Sequence, residues 1–279
     1  MNLSQHDLLA HVLVGVGGSE RSFVALRYAG EFARAGAGKL EALIVEESII
    51  SAGLALFAGE ALQKLIDRGE REREQLVGEI ERRIRHTAVD HGFRVDITRR
   101  EGRVTDCLME ASGRASVLVM GKRGCREDKA GLLGSNTELI VRHTHKPVLL
   151  TPGDYRPLKG ILLAFAGKDT CPTVLRTGKS LAEALGLPVE VFTVERDPER
   201  LQAIQNAARE AFAGGAQKVR YTSGPGHVAE TIAERTETDE LLIMGAYGHS
   251  RLYHMTLGSV TEQVMRAARG PVLLCAKHG

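Results

Sequence analysis

Two stretches of this 279-residue chain carry the residue types that bind anions. Gly121-Lys122-Arg123-Gly124 is followed by nine residues and then Gly134-Ser135, and Gly245-Ala246-Tyr247-Gly248 by nine residues and then Gly258-Ser259. Glycine lets backbone approach a ligand with no Cβ in the way. A Gly-Ser pair that opens a helix presents N–H groups lacking intrahelical acceptors, with a hydroxyl, at the positive end of the helix dipole. Phosphate suits such a place. One glycine pair serves a plain turn equally well, so the informative signal is the whole G-x-x-G-x9-G-S spacing, present twice.

Those loops need a strand to leave and a helix to enter. In the first copy, Val117 to Met120 is a continuous apolar run, as expected of a strand covered on both faces, and Ser135 to Arg142 starts a helix. Further strands are expected at Val12 to Val16, Leu40 to Val45, Arg94 to Thr98 and Val148 to Thr151. Helices are expected after Gly17-Gly18-Ser19 (through Phe23, Leu26, Tyr28, Ala29 and Phe32), over about Glu60 to His91, and over Val104 to Ser112. The long helix has apolar positions at Leu62, Leu65, Ile66, Leu76, Ile80 and Ile84, and its Glu70 to Glu74 run reads as a solvated face.

The second half repeats this order at a constant offset. Gly121 and Gly245 are 124 residues apart (245 − 121), as are Gly102 and Gly226, Val104 and Val228, Thr137-Glu138 and Thr261-Glu262, and Pro147-Val148-Leu149-Leu150 and Pro271-Val272-Leu273-Leu274. The early strands match instead at 149: His11 to Val14 with Gly160 to Leu163, and Leu40 to Val45 with Val189 to Val194. Copy one therefore carries about 25 extra residues (149 − 124) within Ser48 to Asp90. Alternating strands and helices imply parallel, doubly wound sheets with right-handed crossovers. We expect an α/β protein of two tandem Rossmann-like, five-stranded domains, 1–153 and 154–279, with Pro152-Gly153-Asp154-Tyr155-Arg156-Pro157 as the linker.

Composition narrows the function. Thirty-seven Lys and Arg stand against 35 Asp and Glu, and aromatics are 4% with no Trp, which gives neither a basic patch nor a stacking surface for nucleic acid. Cys107, Cys125, Cys171 and Cys275 show no C-x-x-C spacing, which argues against a disulfide framework or a zinc site. Residues 1–7 carry no signal-like pattern, and the apolar-leaning Ile49 to Ala58 run is too short to span a bilayer and is read as core packing. A cytoplasmic protein is expected. Cys125 has no base and oxyanion hole beside it, and His143 and His145, two apart, fall on different helix faces, so neither nucleophile nor metal site is expected there.

The loops, the Thr-Glu pairs after them and the Pro-Val-Leu-Leu strands resemble the universal stress protein family over both halves. The resemblance implies a stress-response protein that is not an enzyme, with an adenine nucleotide (ATP, ADP or AMP) and Mg²⁺ as ligands. It places the base against main chain at Val45 and Val194, with Met120 and Met244 lining the pocket. Ribose and phosphates would fall on Gly121, Arg123, Gly124, Gly134, Ser135 and Asn136 in copy one, and on Gly245, Gly248, Gly258, Ser259 and Val260 in copy two. It also implies pairing through the last strands, here as an internal pseudo-dimer, with a further homodimer open. Family members that bind ATP have an Asp just after the first strand, where this chain has Gly17 and Ala166. That loss keeps open an interaction module with no ligand, and a slow nucleotide hydrolase is the third alternative. Copy one's loop is the more basic (Lys122, Arg123, Arg126 and Lys129 against Glu127 and Asp128), whereas copy two's has Arg251, His249 and His254. An extended polyphosphate is thus expected to favour copy one.

Overall fold

A computed structural model describes residues 8–47, 60–123, 133–167, 171–215, 218–246 and 258–275. The first half runs β1 (His11–Gly15), α1 (Glu20–Ala35), β2 (Lys39–Glu46), α2 (Glu60–Asp90), β3 (Asp96–Glu101), α3 (Val104–Ser112), β4 (Val117–Gly121), α4 (Ser135–His143) and β5 (Val148–Thr151). The second runs β6 (Gly160–Ala164), α5 (Cys171–Leu185), β7 (Val189–Val194), α6 (Pro198–Phe212), β8 (Val219–Gly224), α7 (Val228–Arg235), β9 (Glu240–Gly245), α8 (Ser259–Ala267) and β10 (Val272–Cys275). The third strand lies two residues later than the apolar pattern placed it, because its pairing with β2 begins at Asp96 opposite Glu41.

Local chemistry sets the helix boundaries. Ser19 caps α1 by accepting from the Ser22 N–H at 3.2 Å, and Asp197 caps α6 by accepting from Arg200 N–H at 2.9 Å. Pro198 follows Asp197 at the first helical position, where its missing N–H costs nothing. In α2 the buried stripe is Val77, Ile80, Ile84 and Ala88. Of the apolar positions noted in the sequence, Ile66, Ile80 and Ile84 are buried, whereas Leu76 is 57% exposed and its neighbour Val77 faces the core. The copy-one insertion is concentrated here. Helix α2 has 31 residues against 15 in α6, and residues 47–59 precede it where residues 195–197 precede α6. Ile49 to Ala58 lie outside the described residues.

The strands form one ten-stranded sheet in the order β3-β2-β1-β4-β5-β10-β9-β6-β7-β8. Pairing is parallel within each half and antiparallel at the join, where Leu150, Leu149 and Val148 face Val272, Leu273 and Leu274. The two halves are thus an internal pseudo-dimer joined through their last strands. Alternation along the strands feeds two cores. Val12, Val14, Val117, Val119 and Leu149 pack with α1 and α2, whereas Leu13, Leu118, Met120, Val148 and Leu150 pack with α3 and α4. Both layers continue into the second half.

The linker is held. Tyr155 lies 4.9 Å from Tyr28 ring to ring, Arg27 sits over the Tyr155 ring at 3.7 Å, and the Tyr155 hydroxyl donates to Glu31. Arg156 N–H donates to the Tyr28 hydroxyl at 3.1 Å. The second half therefore starts from a defined point on α1.

Candidate functional site

In each half the strand order reverses beside the first strand: β1 lies between β2 and β4, and β6 between β7 and β9. Crevices at the carboxyl ends of parallel strands open at such points. Gly121 and Gly245 are the last residues of β4 and β9, and the crevice begins there. Gly134 and Gly258 then cap α4 and α8 with nearly identical backbone, φ −63° and ψ 140° against φ −63° and ψ 139°. Having no side chain, neither can accept from the first-turn N–H groups, in contrast to Ser19 and Asp197. At both helix starts the cap residue itself supplies no side-chain acceptor to the first-turn N–H groups, the arrangement that suits an anion.

A hydroxyl locks the two ends of each loop together. Thr137 Oγ1 donates to the Gly121 carbonyl at 3.0 Å, and Thr261 Oγ1 to the Gly245 carbonyl at 3.2 Å. Both threonines are buried. In copy one the Gly134 N–H also donates to the Lys122 carbonyl at 2.9 Å, and the Lys122 N–H to the Thr151 carbonyl at 3.1 Å. The glutamates that follow are tied to arginines one turn on: Glu138 to Arg142 and Glu262 to Arg266, each at 2.6 Å. Arg142 also approaches Glu262 at 3.8 Å across the join. The recurring Thr-Glu pair thus closes the loop with its first residue and pairs with an arginine of its own helix through its second, Glu262 lying also beside Arg142 of the other half.

The remaining expected site residues distribute along the same edge. Val45, one residue before the end of β2, and Val194, the last of β7, are half-buried and pack against the α3-side core. Met120 and Met244 are buried just before the loop glycines. Arg123 is half-buried, Ser135, Asn136, Ser259 and Val260 are exposed in the first helical turns, and Gly124 and Gly248 lie outside the described residues. Cys125, Arg126, Glu127, Asp128, Lys129, His249, Arg251 and His254 lie outside them as well. Gly17 is exposed, and a Cβ built on it would meet nothing within 4 Å. The next residue is different: Gly18 has φ +82° and Gly167, its counterpart, φ +66°, where a side chain would also run into Ile80 or Ile204 of the middle helix.

One expectation needs correcting. Lys122 does not add its charge to the copy-one loop's ligand face. Its ammonium donates to the carbonyls of Ala268 at 2.6 Å and Gly270 at 3.0 Å, both in the other half. Burial lowers its pKa to about 7, and neighbouring Arg123 pushes the same way. The electrostatic preference for copy one loses that cation.

A sequence model of the universal stress protein family matches residues 9–152 and again 157–276. The chain belongs to the universal stress protein family. A universal stress protein of Synechocystis sp. is 35% identical over 190 residues, 64% of this chain and 64% of that protein. One from Mycobacterium tuberculosis is 24% identical over 204 residues, 62% of each chain. The matched regions therefore span just under two thirds of those relatives' own length. The crystal structure of a universal stress protein from Archaeoglobus fulgidus superposes with a TM-score of 0.72 at 22% identity, over 96% of this chain and 99% of that one, a likeness of fold.

Universal stress protein architecture here includes a feature that sequence reasoning passed over. Glu41 and Glu190, at matching positions in β2 and β7, are both buried. Glu41 Oε2 lies 3.0 Å from His11 Nε2, while Glu190 accepts from Thr222 at 2.6 Å and from Arg235 and Arg220. Burial pushes the Glu190 carboxyl up, but those donors outweigh it and hold it below the usual carboxylate range. A Glu recurring at one place in two otherwise apolar strands was the available signal. Its role is structural, since a buried carboxylate requires donors. Among the described residues no cluster of His, Cys, Asp and Glu could hold a metal, and no helix is long and apolar enough to cross a membrane.

Proposed function

We propose that this universal stress protein is a cytoplasmic, non-catalytic stress-response protein that binds an adenine nucleotide, with Mg²⁺, at its glycine loops. The observation that carries the reading is the pair of uncapped helix starts at Gly134 and Gly258, each locked by a threonine to the end of its strand. Backbone donors at a helix start favour phosphate oxygens, and the half-buried Val45 and Val194 offer main chain and apolar surface for a base. Such donors bind an anion but supply neither a nucleophile nor a general base, which is why the reading is of binding. Calorimetric titration with ATP, ADP and AMP plus Mg²⁺ tests it. Saturable heat that disappears in the double variant Gly134→Val, Gly258→Val is expected, and no heat at millimolar nucleotide would leave the loops as structural turns.

A second reading is favoured by one observation. Gly17 and Ala166 leave both crevices without the carboxylate that family members binding ATP carry. On that reading the chain is an interaction module, and the purified protein would carry no co-bound nucleotide when denatured and analysed by chromatography.

A further inference from the structure

The two halves differ at one contact in both its donor and its acceptor. Lys122, immediately after the copy-one loop glycine, sends its ammonium across the join to the Ala268 and Gly270 carbonyls at the end of α8. The matching residue in copy two is Ala246, which has no donor to send. The acceptors differ too. The turn that Lys122 reaches is Ala268-Arg269-Gly270, whereas the matching turn in copy one is Thr144-His145-Lys146. There the Thr144 hydroxyl accepts from the Lys146 N–H at 3.1 Å, so that turn is closed by its own side chain. At Gly270 a Cβ would collide with the Glu237 and Glu240 carbonyls, so a lysine like the one at 146 does not fit.

The antiparallel join explains why the contact is possible. The carboxyl end of β5 lies beside the amino end of β10, Leu150 facing Val272. The base of the copy-one loop, bonded to Thr151, therefore abuts the turn that leads into β10. Lys122 main chain simultaneously holds both ends of the loop, donating to Thr151 and accepting from the Gly134 N–H at the helix start. Two carbonyls at a helix end, on the negative side of its dipole, suit a cation.

We infer that Lys122 is a positioning residue through which the second half sets the geometry of the copy-one loop's base, from Lys122 to Gly134, a coupling that Ala246 cannot make in copy two. This rests on the nucleotide reading only where ligand is concerned; the coupling of loop to partner half stands without it. Its consequence is that the copy-one site is complete only when α8 and β10 are docked, while the copy-two site has no such tie through Ala246.

Amide hydrogen exchange on the full chain, without ligand, tests the coupling. Lys122→Met keeps the reach and removes the donor, and Lys122→Ala copies what copy two already accommodates. Both should speed exchange at Gly134 and Glu138 by about tenfold, the worth of one hydrogen bond, while Leu201, in the first turn of α6 and on a helix that Lys122 does not touch, stays near its native rate. Unchanged rates at Gly134 and Glu138, or equal acceleration at Leu201, would overturn the inference, since a general loss of stability moves both halves. A second arm titrates MgATP into Gly258→Val with and without Lys122→Met. Several-fold weaker binding with Met is expected, and equal affinity counts against the coupling. If MgATP binds neither, the nucleotide reading fails and the exchange arm alone decides.

Discussion

Gly17 is the residue at which ligand affinity is most open to repair. Its φ is not in the left-handed region and a Cβ there meets nothing, so Gly17→Asp restores a carboxylate at little conformational cost. We expect it to raise MgATP affinity by about tenfold, the worth of one hydrogen bond to a charged group, read by calorimetry. An unchanged or lower affinity would show that the crevice is not arranged around that position. Lys122 makes a different prediction. Its folded pKa of about 7 lies below the ordinary 10.5, so between those values the unfolded chain binds more protons than the folded one. Stability contributed through this group must therefore rise as pH rises from 7 toward 10. Urea denaturation of the native protein and Lys122→Met across that range should show the native protein gaining relative to the variant. A gap that narrows instead would mean the ammonium is solvated.

At the scale of elements, the strand–loop–helix units are what both copies preserve. Gly167 turns the chain from β6 toward α5 with φ +66°, and it packs beneath Ile204 of α6. Gly167→Ala should cost at least 1–2 kcal/mol for the left-handed backbone, more for the displaced Ile204, and lower the urea midpoint without changing its slope. Strands, the duplicated loop and the position of the insertion were legible in the sequence, because apolar alternation and glycine spacing are local signals that the duplication prints twice. The destination of Thr137 was not: its acceptor Gly121 is 16 residues away and meets it only once α4 has folded back. Lys122 was misread for a stronger form of the same reason. Its acceptors lie 146 and 148 residues on and are neighbours only through the β5–β10 pairing. Which apolar residue of α2 turns inward was not legible at Leu76, since Val77 beside it is equally apolar and only packing chooses between them.

At the scale of the molecule, the join is apolar and continuous with both cores. Leu149 and Leu273 face each other across it and are fully buried. Leu273→Ala should cost about 2–5 kcal/mol and lower the melting of both halves together, because the two core layers run through the join. Calorimetry resolving two separate transitions in the native protein would contradict that. The antiparallel join also points the carboxyl ends of the two half-sheets in opposite directions, so the crevices open on opposite edges. Two nucleotides per chain is the stoichiometry expected of the native protein, falling to one when either Gly134 or Gly258 is replaced by Val.

The contact between Lys122 and the Ala268 turn, made on one side alone, could not have arisen between identical subunits. In an isologous two-fold interface residue i meets j and j meets i, so a lysine that reaches its partner's turn appears on both sides, and a turn opened to receive it is opened in both places. Carrying both halves on one polypeptide removes that constraint. Donor and acceptor can then be assigned to different sides, and dilution never separates them. Fusion here permits division of labour: one half supplies a reach, the other a recess, and each is free to lose what its partner provides.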